Sequence, residues 1–172
     1  MEEQDIGFFF WPCQGKELFV FIHSGIQWIH DFFFHGKDQL SMQNRMDFVE
    51  ILYNVLIIKM MIDCNVDYLF FVAKDSVDQA AMAAACLMGC GKILEGKGAW
   101  SAREVGLFLS IIFLPAFLFR ERVIDMHCLH RGIHALSIIN LRWEESRDVF
   151  ISDLQKILSC DTLSFKINEA KE

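Results

Sequence analysis

The stretch SMQNRMDFVEILYNVLIIKMMID, residues 41–63, decides the fold class. Its apolar positions Met42, Met46, Val49, Tyr53, Leu56 and Met60 follow the period of a helix, and the alternation of a half-buried strand is absent. A helix is therefore expected from Ser41 to near Asp63. Working outward, the same period appears upstream in Leu18, Ile22, Ile26, Ile29 and Phe33, which places a helix over residues 14–34 with Gly36 as its stop.

Downstream, Asp75-Ser76-Val77-Asp78 has the composition of a cap leading into a small-residue helix over 79–94, and Glu95-Gly96-Lys97-Gly98 marks a loop. Ser101-Ala102-Arg103-Glu104 is a capping box, opening a helix that should bend at Pro115. A further helix is expected from Ala116 or Phe119 to Asn140, and a last one over residues 144–158. The run Tyr68-Leu69-Phe70-Phe71-Val72 suits a short strand or an irregular segment as well as a helix, leaving residues 66–72 open. No repeat or linker divides the chain. The expectation is an all-α fold: one domain over residues 1–172, a compact bundle of about six helices, with an extended aromatic arm over 1–13 and a frayed tail over 161–172.

Composition narrows the function classes. Of 172 residues, 53% are hydrophobic, with 17 Phe and 8 Met against 2 Pro, which excludes a disordered chain. That much apolar mass exceeds what one small bundle needs, so a second copy, a protein partner or a membrane surface is expected to cover part of it. The formal charge of −7 and the lack of a basic run argue against binding duplex DNA. The acidic start, Met1-Glu2-Glu3-Gln4-Asp5, lacks the basic segment of a signal peptide, and no CxxC pair occurs among the six cysteines. A cytoplasmic chain with free, mostly buried thiols is the expectation. The uncharged run from Val105 to Phe119 would span about 22 Å as a helix, short of the ~30 Å hydrocarbon core, which favours a buried helix over a membrane span. Together with residues 52–62, it leaves contact with a membrane surface open.

Three features bear on chemistry. The densest is His127-Cys128-Leu129-His130-Arg131-Gly132-Ile133-His134. On a helix, His127, His130 and His134 form one stripe, a possible site for a transition metal or haem if neighbouring helices supply further ligands. His23 and His30 share a face of the first helix, with Asp31, Glu50 and Cys90 as further donors. No carboxylate stands between His130 and His134, as a hydrolytic HExxH site requires.

The second feature is Arg122-Val123-Ile124-Asp125-Met126-His127, an Arg followed at five residues by a His. These six residues resemble the short motif of the HEPN superfamily, helical domains that often dimerise. The resemblance implies a metal-independent ribonuclease in which His127 is the acid/base and Arg122 holds the phosphate. Val123 stands where that family usually has a polar residue. The third feature is the apolar surplus itself, in Phe8–Trp11, Phe32–Phe34 and Val105–Phe119. It favours a helical interaction or regulatory protein that buries an apolar face in a homo-oligomer or against a partner.

Overall fold

A computed structural model describes residues 16–65, 77–96, 100–118 and 125–160. Five helices, and no strand, occur among them: α1 (Lys16–Phe34), α2 (Met42–Cys64), α3 (Val77–Glu95), α4 (Ala102–Leu118) and α5 (Met126–Leu158). The expectations for residues 1–13, 66–72 and 161–172 fall outside the described residues. None of these helices is long and apolar enough to cross a membrane.

The helix count of six is corrected to five. The last two expected helices meet end to end in a single 33-residue element, broken at Ser146, where φ −149° and ψ 48° are non-helical, two residues beyond the expected start at Glu144. Asn140 to Glu144 include neither Gly nor Pro, so the helix runs through them and breaks only at Ser146. Asn140 instead donates to Glu144 at 2.8 Å and Arg142 to Glu145 at 2.6 Å, both within the continuous helix.

Local signals account for the other ends. Ser41 accepts from the Asn44 N–H at 3.2 Å, and Asn65 closes α2 in the left-handed conformation. The capping box forms in both directions: the Ser101 N–H donates to Glu104 Oε2 at 2.7 Å, and the Glu104 N–H donates to Ser101 Oγ at 3.2 Å. Gly36 ends α1 at φ +61°, its N–H bonded to the His30 carbonyl. α4 continues through Pro115 to Leu118.

α5 is the spine, packed against α1, α2 and α3, while α4 rests on α3. Phe150 of α5 sits among Trp28, Phe32 and Phe33 of α1 and Trp143 of its own helix, with ring centroids 5.4 to 5.9 Å apart. The Phe32–Phe34 run is thus drawn largely into the core, with Phe33 and Phe34 buried. Against α3 the approach is closer. A Cβ on Gly132 would collide with the Met82 methyl and lie 2.7 Å from Cys86 Sγ, and one on Gly89 would lie 2.7 Å from Leu136. Gly132 needs hydrogen there for the helices to come together, whereas the atoms facing Gly89 are the movable end of the Leu136 side chain.

α3 holds α4 through Lys92, which is buried and donates to Glu104 Oε1 at 2.5 Å, with Glu95 at 3.8 Å on the other side. The Lys92 hydrogen bond, followed by those from Ser101, lowers the Glu104 carboxyl from its usual 4.5 to about 2.

Gly132→Val should lower stability by about 1–3 kcal/mol through overpacking against Met82 and Cys86, measured as a lower urea midpoint at unchanged slope. A depressed carboxyl contributes stability that is complete above its unfolded value and lost as pH falls through the folded one. The stability gap between wild type and Glu104→Gln should therefore be full above pH 4.5 and close by about pH 2, followed by denaturation monitored by circular dichroism.

Candidate functional site

α2 and α5 meet along a seam that is polar in its middle. Asp47 lies at 0% exposure in a helix otherwise rich in Ile and Val. Its Oδ1 accepts from Gln43 Nε2 at 3.0 Å and faces His134 Nδ1 of α5 at 2.9 Å, while Oδ2 has no hydrogen-bond partner among the described residues. A carboxylate can only accept, so the imidazole donates from Nδ1 and Nε2 is its remaining nitrogen. One turn on, Arg131 Nε of α5 stands 2.5 Å from Glu50 Oε1 of α2, off the N–H line, so the contact is ionic rather than a directed hydrogen bond. Because residues 47 and 50 of α2 meet residues 134 and 131 of α5, the two helices run antiparallel.

The imidazoles of the expected stripe separate into two groups. His130 and His134 lie side by side, ring centroids 6.3 Å apart and planes 24° from parallel. His130 is exposed and the His134 side chain is 42% exposed. His127 is exposed in the first turn of α5, where its backbone N–H donates to the N-cap Asp125 at 2.9 Å. Among the described residues, no group of three or more His, Cys, Asp and Glu side chains is placed to hold a metal.

The other candidate donors are engaged elsewhere. His23 stacks on Phe19, His30 Nε2 donates to the Lys37 carbonyl at 2.9 Å, and Asp31 accepts from Gln27 at 2.8 Å. Cys90 is a core residue whose thiol burial raises to about 12. Burial also pushes the Cys86 thiol up, and its neighbours Cys90, Glu50 and Cys128 push it further. Both are held neutral, as packing groups rather than thiolates. Arg122 falls outside the described residues, so the Arg122–His127 pairing implied by the HEPN resemblance has no geometry here.

Residue types and spacing in the sequence single out the histidines but not Asp47 or Gln43, which stand within an apolar helix. The one signal in the sequence is that Asp47 shares a helical face with Ile51, Val55 and Ile58, at steps of four, four and three. α2 also turns outward the very set that revealed it as a helix: Met42 is 71% exposed, Val49 61% and Tyr53 49%, with Met46 exposed and Leu56 and Met60 half-buried. Its inward side carries Asp47, Ile51, Asn54, Val55 and Ile58.

Compared with known proteins, the chain matches no family model, no curated protein and no solved structure.

His134→Ala should cost about 2 kcal/mol, because it leaves the Asp47 carboxylate buried with Gln43 as its one remaining partner. Adding Asp47→Leu to that variant should restore most of the loss, so that a double-mutant cycle by urea unfolding shows strong coupling.

Proposed function

We propose that the protein works by helix-to-helix association, with the outward stripe of α2 packing against the same stripe of a second copy. The observation that carries this is the combination of spacing and exposure. Met42, Met46, Val49, Tyr53, Leu56 and Met60 recur at alternating steps of four and three, the spacing of a coiled-coil seam. Four of the six are exposed, in a helix whose other face already fills the core. A solvated surface helix would carry polar side chains there.

A stripe of this period is complementary to itself, since each knob finds a hole between residues of the facing helix. α5 adds Met126, Ile133 and Leu141 to the exposed apolar surface. This accounts for the apolar surplus without a membrane span, and supports reading the protein as an interaction or regulatory component.

The test is light scattering over a range of concentrations, with Val49→Glu as the variant. Wild type should run as a dimer or higher assembly. Val49→Glu should be monomeric, with a thermal midpoint at low concentration close to that of wild type, because the position is exposed and contributes little to the monomer's core. A wild-type monomer at every concentration would overturn the proposal; a monomer that co-elutes with an added partner helix would redirect the stripe to a different protein.

A further inference from the structure

The paired imidazoles of α5 have a geometry that the seam itself does not need. His134 is held from behind by a fully buried carboxylate through Nδ1, which leaves Nε2 as the nitrogen free to ligate. Metal-binding histidines are characteristically oriented in this way, the second ring nitrogen donating to a carboxylate that fixes the tautomer and raises the basicity of the ligand. His130 stands one turn earlier on the same face, and among the described residues its ring nitrogens have no hydrogen-bond partner. From these observations we infer that His130 and His134 form a chelating pair for a borderline divalent transition ion of the Zn2+ class, positioned by Asp47 and completed by the same pair from a second copy.

The distances are within reach. Two imidazoles on one tetrahedral ion, each with a metal–nitrogen bond of about 2.0–2.1 Å, have nitrogens roughly 3.3 Å and ring centroids about 5 Å apart. The rings stand 6.3 Å apart, about 1 Å wider than that, and His130 is an exposed side chain with room to turn toward His134. The Asp47 Oδ2 atom, buried and unpartnered among the described residues, leaves a negative charge beside the site that an added cation would offset.

A second copy is the source of the missing ligands because one chain supplies two. No third donor stands with the pair among the described residues. The pair lies at the level of the outward stripe, since Asp47 and Glu50, which meet His134 and Arg131, sit between Met46 and Tyr53 in α2. Ile133 and Leu141 put exposed apolar surface on the same helix. A two-fold arrangement of this face would assemble four imidazole nitrogens, the tetrahedral number for zinc. Arg131 occupies the place where a hydrolytic site has its general base, so the ion would join chains rather than activate water. This assignment of the second pair rests on the association reading.

The experiment titrates the metal-free protein with Zn2+ by calorimetry and with Co2+ by visible absorption, comparing wild type, His130→Ala, the double variant His130→Ala/His134→Ala, Asp47→Asn and Val49→Glu. Wild type should take one ion per two chains, at least tenfold more tightly than the double variant. Its Co2+ spectrum should show tetrahedral bands without thiolate-to-cobalt charge transfer. His130→Ala, an exposed substitution that leaves the core intact, should by itself bring affinity down to that of the double variant. Asp47→Asn should weaken binding roughly tenfold or more while leaving both ligands in place.

Equal binding by wild type and the double variant, or a thiolate band, would assign the ion to cysteines and overturn the inference. A dimer that persists in chelator and binds no zinc would leave the association standing and remove the metal site. One ion per chain on a monomer would overturn both the shared site and the association. One ion per chain on Val49→Glu with tenfold weaker affinity, against one per two chains on wild type, would support the second copy as the source of the other two ligands.

Discussion

The seam between α2 and α5 fixes how everything else in the molecule is placed. A carboxylate with no exposed surface has to be paired, and among the described residues Asp47 has one partner outside its own helix, His134. That pairing, with Glu50 and Arg131 one turn away, sets both the antiparallel direction and the register of the two helices. α2 is apolar around most of its circumference, so hydrophobic burial alone would tolerate several rotations about its axis. The buried charge narrows them, because a rotation that kept Asp47 inside but took it away from His134 would strand it. The polar contact therefore fixes the rotation of α2 within its inward face.

The outward stripe follows from that rotation. With Asp47, Ile51, Asn54, Val55 and Ile58 turned in, the residues on the opposite side are Met42, Val49 and Tyr53. A buried ion pair generally adds little net stability compared with an apolar pair of the same volume, but a broken one costs a great deal. Its effect here is on orientation rather than on the depth of the folding free energy. A sequence optimised only for the monomer would gain by placing Ile or Leu at position 47 and polar residues along the stripe. The opposite arrangement is what a helix shared between a core and an interface requires.

Much of the fold was legible in residue order and little of the site. Capping at Ser41 and Ser101, the stop at Gly36 and the helical class all rest on contacts between residues within a few positions of one another, so local sequence is sufficient to read them. The break within α5 falls at Ser146 rather than over residues 140–144, which contain no terminator. Facing was less accessible, because the period of α2 is satisfied twice, once by the exposed set and once by the buried one. How the buried set is turned depends on residue 134, which lies 87 positions away. The Asp47–His134 contact is of the same kind: the histidines were visible as a stripe, whereas their carboxylate partner was visible only once two distant helices were side by side. His127 shows the limit of the stripe as an argument, since sharing a face did not bring it into the pair.

The glycines of the α3–α5 crossing extend this logic to the other side of the spine. Gly132 lies within the HRGIH segment, between His130 and His134, and its missing side chain is what lets Met82 and Cys86 pack against the helix backbone. The same turn of α5 therefore presses α3 with one face, pairs with α2 through Arg131 and His134 on a second, and presents His130 and Ile133 outward on a third. A turn held on two sides has little freedom to rotate, and a ligand pair mounted on it inherits that rigidity. Rigid mounting lowers the ordering cost of binding an ion or a second helix. The packing of α3 and the polar pairing of α2 thus act together on the face that remains exposed, which is why the proposed metal contacts fall at this level of α5.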